Sequence, residues 1–153
     1  MTLELNLVDP AAAEALVPVL RDAEEGDDRI RATIADPHCK SYAARDGGAL
    51  IGAAVVRLSP GEPAEIVYIA IAPEHRRRGH GRRILAALQA GYPAGLIVGT
   101  ATSSLENIAF YQVCGFRMLR VHRDFFAYVD PPIAEHGIPM RDMIVFSYEP
   151  EGD

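Results

Sequence analysis

The stretch that most limits what this chain can become runs from Glu65 to Ala90, EIVYIAIAPEHRRRGHGRRILAALQA. Ile66, Val67, Ile69 and Ile71 predict a strand, Pro73 ends it, and Ile84, Leu85 and Leu88 recur at helical spacing. An apolar strand, an arginine-glycine loop and a helix must therefore follow one another. Arg76, Arg77, Arg78, Arg82 and Arg83 surround Gly79 and Gly81 where the helix begins. A helix N-terminus already presents unpaired N–H donors and the positive end of the macrodipole, so cations there are disfavoured until an anion sits among them. The glycines let the backbone come close to such an anion, and phosphate is the group usually held this way. A solvated arginine cluster is the other reading of the same residues. The spacing fits neither the P-loop nor the dinucleotide-binding glycine pattern.

The loop resembles the acetyl-coenzyme A motif of the GNAT superfamily of N-acetyltransferases, [RQ]-x-x-G-x-[GA] after a strand. Arg76, Gly79 and Gly81 fill its fixed positions, and the likeness extends upstream through Ile69-Ala70-Ile71. The resemblance implies an α+β fold with a central mixed, mostly antiparallel sheet flanked by helices, as a single domain over residues 1–153. It implies transfer of an acetyl group from acetyl-CoA to a primary amine. Arg76, Arg77, Arg78, Gly79, His80, Gly81 and Arg82 are then expected at the pyrophosphate, His80 through its backbone N–H, and Ile69, Ala70 and Ile71 along the pantetheine arm.

A second stretch, Ser104 to Phe116, SLENIAFYQVCGF, resembles another motif of that family, N-x-x-A-x-x-x-Y followed by G-F. Tyr111, Gly115 and Phe116 match it. The motif's asparagine position is Ser104 and its small-residue position is Asn107, so Ser104 or Asn107 is expected to take over the pantetheine contact. Tyr111 matches the tyrosine that protonates the departing thiolate; a phenol of pKa about 10 suits a thiol of pKa about 8.5. Backbone N–H groups near Ile69 to Ile71 would polarise the thioester carbonyl. The alternative for Tyr111 is a buried helix tyrosine with a local partner.

The attacking amine must be free base, and at pKa about 10.4 few molecules are at neutral pH. Glu65 lies six residues before Ile71, in the register where the histone-acetylating branch of the family places its glutamate base, and an exposed strand-entry glutamate is the competing reading. The other position used in the family, five residues before the motif asparagine, is Gly99, which has no side chain to act.

The rest of the chain supplies elements around these two motifs. Leu3, Leu5 and Leu7 alternate with polar residues as a half-buried strand, and Asp9-Pro10 then begins a helix that Pro18 should break. A helix from Gly26-Asp27 ends before Pro37, and residues 41–45 and 49–58 form a hairpin about Asp46-Gly47-Gly48. Residues 96–98 form a short strand. Ser103 and Glu106 have capping-box spacing for a helix from Ser104 to Cys114, with Ile108 and Ala109 inward. Strands follow from Phe116 and from Met143, separated by a long loop from Asp130 to Pro139.

Formal net charge is −6, with acids at Glu24, Glu25, Asp27 and Asp28 and at Glu149, Glu151 and Asp153 around the central arginines. An acidic body around a basic pocket argues against nucleic acid and for an anionic cosubstrate with a cationic acceptor. No apolar run spans a bilayer, so no membrane partner and a cytoplasmic location are expected. Cys39 and Cys114 make no paired motif, and the five histidines lack metal-ligand spacing, so no metal is expected. The proximity of Cys114 to His122 is only sequential. A homodimer is admitted by the resemblance. A non-catalytic acyl-CoA binding or sensing domain is the alternative that keeps the loop and discards Tyr111 and Glu65.

Overall fold

A computed structural model describes residues 3–24 and 26–150, and two compact units, Met1–Pro93 and Ala94–Asp153, divide the chain. Glu25, Glu151 and Asp153 of the acidic flanks lie outside the described residues.

In the first unit, β1 (Leu3–Val8) is followed by a 3₁₀ turn (Ala12–Leu16), α1 (Val17–Leu20), α2 (Asp27–Ala35), β2 (Cys39–Asp46), β3 (Ala49–Arg57), β4 (Ala64–Ile71), a second 3₁₀ turn (Pro73–His75) and α3 (His80–Gly91). The four strands pair antiparallel in chain order, β1 with β2, β2 with β3 and β3 with β4. The Asp9 carboxylate accepts the Ala12 N–H at 2.8 Å, opening the first turn as its sequence predicts. Pro18 falls where 3₁₀ geometry gives way to α, because a proline lacks the N–H that would continue the ladder but suits a first turn. One expectation fails at β1: Leu7 is 58% exposed, and Val8 packs against the core instead.

β3 is buried from Ile51 to Val56, on both faces. A strand with no solvent face needs cover on each side. Leu16, Val17, Leu20, Ile30 and Ile34 of the early helices close over Ala43, Ala53, Val55, Tyr68 and Ala70. α3, with Ile84, Leu85 and Leu88 buried, packs on β1 and β4 and reaches β3 at Gly52. Each such aliphatic side chain contributes about 1.5–3 kcal/mol of burial free energy.

The acids of the early helices are largely spoken for. Asp27 binds Arg21 at 2.9 Å, Glu14 binds Arg31 at 2.9 Å, Glu24 faces Arg29 at 3.9 Å, and Asp22 holds Arg76. Of the early acids read from the sequence as an anionic surface, Asp27 and Glu24 are thus matched by local arginines.

In the second unit, β5 (Leu96–Ala101), α4 (Leu105–Val113), β6 (Arg117–His122), a small hairpin of β7 (Ala134–Glu135) and β8 (Ile138–Pro139), and β9 (Met143–Tyr148) follow in order. β9 lies between β5 and β6, antiparallel to both. Gly115, at φ 93°, ends α4. Two local expectations are corrected. Ala109 is exposed and Tyr111 is the buried residue of α4. The capping box does not form, because the Ser103 and Ser104 hydroxyls both donate to Glu135, at 3.1 and 2.8 Å. The long loop after β6 holds the β7–β8 hairpin. Both cysteines are free thiols.

At Gly52 of β3 the backbone of β4 leaves no room for a side chain. A Cβ there would lie 2.6 Å from the Ala70 carbonyl oxygen, which no rotamer change relieves. Gly52→Ala is expected to destabilise the protein by about 1–3 kcal/mol, lowering the thermal midpoint measured by calorimetry, whereas Gly61→Ala, with open space around it but φ 77°, tests backbone strain alone. Equal midpoints for wild type and Gly52→Ala would show that the strands can separate at no cost.

Candidate active site

In the first unit the candidate residues gather at the end of β4. The chain leaves Ile71, the Ala72 N–H donates to the Ile51 carbonyl at 2.8 Å, and the 3₁₀ turn at Pro73–His75 leads into extended Arg76. Arg77 at φ 64° and Gly79 at φ 78° both adopt left-handed backbone, which reverses the chain and starts α3 within three residues. Gly79 is the N-cap, and no side chain caps the helix. Arg83 is the first residue whose N–H bonds back to Gly79, so the amides of His80, Gly81 and Arg82 point out of the helix end unused by its ladder. The space around the Gly79 Cα is open. A side chain there would both strain the backbone and fill that opening.

The arginines divide. Arg77, Arg78 and Arg82 are exposed and carry no ion pair among the described residues. Arg76 is engaged: its Nε donates to the Ile71 carbonyl at 3.1 Å and its Nη2 to the Asp22 carboxylate. His80 is 5% exposed, its Nδ1 is buried without a hydrogen-bond partner among the described residues, and its ring meets that of His75 edge to face at 6.5 Å. Unused amides, uncompensated guanidinium groups and open space over a left-handed glycine fit a diphosphate.

On β4 itself, Ile69, Ala70 and Ile71 stand opposite Ala54, Ala53 and Gly52. Pairing skips from Tyr68 to Ile66, so Val67 is the extra residue of a β-bulge. Nothing in a run of β-branched residues announces that bulge. Glu65 lies opposite Arg57, whose Nη1 is 3.6 Å from its carboxylate, and Arg57 also faces Asp36 at 3.9 Å.

In the second unit the candidate residues are carried by α4. Ser104 is its N-cap, but its hydroxyl is taken by Glu135. Asn107 is exposed and donates from Nδ2 to Thr100 Oγ1 at 3.2 Å. The β7–β8 hairpin is pinned to the start of α4 twice, by Glu135 on the two serines and by His136, whose Nε2 is 2.8 Å from Glu106. Tyr111 is 5% exposed among Phe110, Phe116 and Phe146, with ring centroids 5.4, 5.8 and 5.8 Å away. Burial, and secondarily the Cys114 sulfur, push its phenol well above the ordinary value. Tyr92 moves the same way, through burial and then its 2.5 Å hydrogen bond with Tyr42.

Sequence reasoning missed Asp22, Glu135, Gly52 and the bulge. Only Glu135 had a signal, the His136-Gly137 dipeptide after it, which suits a tight hairpin turn. Among the described residues no group of three or more potential metal ligands gathers, and no helix is long and apolar enough to cross a membrane.

Comparison with known proteins bears on both groups of residues. The sequence model of the acetyltransferase (GNAT) family matches residues 10–116. An uncharacterized N-acetyltransferase of Bacillus subtilis (strain 168), YvbK, is 34% identical over 108 residues, covering 67% of this chain and 70% of the relative. A GNAT family acetyltransferase from Elizabethkingia anophelis, solved with acetyl-CoA bound, is similar at a TM-score of 0.86 and 27% identity, covering 96% of this chain and 97% of that one. An acetyltransferase of Bacillus subtilis solved in complex with CoA has a TM-score of 0.82 and 28% identity, covering 97% and 99%.

Two raised phenols have a measurable consequence. A folded pKa above the unfolded value means that the native state holds its proton more tightly, so their stabilising contribution is complete below about pH 10 and lost as pH rises beyond it. Denaturant unfolding is expected to give a stability that falls above about pH 10, with a shallower fall in Tyr111→Phe. An equal slope in the variant would mean that Tyr111 ionises as freely in the fold as outside it.

Proposed function

Because this chain belongs to the acetyltransferase (GNAT) family and is an acetyl-CoA-dependent N-acetyltransferase of that α+β fold, we propose that it passes the acetyl group directly from the thioester to a primary amine, with its residues in the following roles. The observation that carries this reading is the left-handed Gly79 turn, which leaves the first amides of α3 and three uncompensated arginines around open space at the end of β4. Those amides and Arg77, Arg78 and Arg82 hold the pyrophosphate, and the backbone of Ile69, Ala70 and Ile71 aligns the pantetheine arm.

When bound, acetyl-CoA supplies an activated acyl carbon and a thiol leaving group. Tyr111 supplies the proton donor. Its raised pKa keeps the hydroxyl protonated over the whole working range. The same burial makes complete transfer to a thiolate of pKa about 8.5 uphill, so Tyr111 acts as a hydrogen-bond donor that strengthens as charge builds on sulfur. Glu65 receives the proton of the incoming amine. Its carboxylate lies 3.6 Å from Arg57 Nη1, which holds the side chain at the start of β4.

Incubating the protein with acetyl-CoA and a pool of amines, polyamines, amino acids and peptides, with mass-spectrometric detection, is expected to yield an acetylated amine. Tyr111→Phe should lower its rate of formation by about 10²–10⁴-fold while coenzyme affinity is retained. Undiminished turnover would remove Tyr111 from the chemistry. For the same product, Glu65→Gln is expected to lower turnover at neutral pH by about 10²–10⁴-fold with coenzyme affinity retained, and unchanged turnover would leave Glu65 only as the ion-pair partner of Arg57.

A further inference from the structure

Asp22 lies in the turn that leaves α1, 54 residues before the arginine it holds. Its neighbour Arg21 grips Asp27 in the first turn of α2 through both Nε and Nη2, at 3.0 and 2.9 Å. The connection between the two early helices is thus tied forward to α2 and across to the loop between β4 and α3. The cross tie is a single carboxylate. Arg76 gives Nη2 to that carboxylate and Nε to the Ile71 carbonyl, so one edge of its guanidinium is fully used. Arg77, Arg78 and Arg82 have no such counter-charge among the described residues. The pair is also open to solvent, with both side chains about half exposed, so it is weak and readily exchanged for a better anion.

We propose that Asp22 competes with the pyrophosphate of acetyl-CoA for Arg76, so that loading the cosubstrate releases the turn between α1 and α2. The inference rests on the pyrophosphate sitting at the start of α3. A dianionic group there draws Arg76 more strongly than one carboxylate and repels Asp22 at the same time, and both effects break the same pair. Asp22 therefore sets coenzyme affinity from outside the phosphate contacts, and couples it to the mobility of the early helices.

The test is calorimetric titration with CoA at low ionic strength. Asp22→Asn is expected to bind CoA about two- to fivefold more tightly than wild type, since exposed pairs are worth that much. In an Arg76→Ala background the same substitution should give no gain. Hydrogen exchange at residues 21–24 should rise when CoA is added to wild type and be high from the outset in Asp22→Asn. Unchanged or weaker binding by Asp22→Asn overturns the competition, as does a gain that persists without Arg76. Gly79→Asp separates this from the underlying reading: loss of CoA binding there upholds the pyrophosphate site whatever Asp22 does, and retained binding removes the site and the inference together.

Discussion

Burial of β3 on both faces is the constraint from which the first unit follows. A strand whose residues 51–56 are all buried cannot be stable beside water on either side, so the helices before it must cover one face and α3 the other. Covering the second face requires the chain to turn back immediately after β4. The left-handed pair Arg77 and Gly79 makes that reversal, and the start of α3 has no side-chain cap. The uncapped start of α3 thus follows from how a fully buried strand is enclosed. Gly52 serves the same end, since its missing side chain admits the Ala70 carbonyl.

Charge is distributed with similar economy. The arginines of the loop are left uncompensated where a phosphate can use them, while those of the early helices are matched to nearby acids. Arg76 stands between the two groups. In the second unit the acid Glu135 takes both serine hydroxyls at the start of α4, which fixes the β7–β8 hairpin there and occupies the side chain that the family motif would replace by asparagine. Tyr111 is the opposite case: its aromatic surroundings hold the ring and keep the phenol protonated.

Local signals were legible where one residue type suffices. Gly115 marked the end of α4, and the alternation of β-branched and helical spacing placed β4 and α3 to within a residue or two, whereas at Pro18 the expected interruption is a passage from 3₁₀ to α geometry. Leu7 and Ala109 were misread because periodicity names a face without saying which neighbour covers it. The capping box failed for a related reason. Ser103 and Glu106 have the right spacing, but a carboxylate 31 residues away from Ser104 competes successfully for the hydroxyls.

The sequence by itself determined the succession of strand, loop and helix, the glycines between strand and helix, and the family to which they point, because each depends on residue types acting over a few positions. Tertiary structure alone decided that Asp22 holds Arg76, that Glu135 holds Ser103 and Ser104, that Arg57 faces Glu65, and that Val67 bulges out of register. Each of these is a pairing between segments brought together by burial elsewhere, and a polar side chain with several acceptors in reach carries no mark in the sequence of which one the fold delivers.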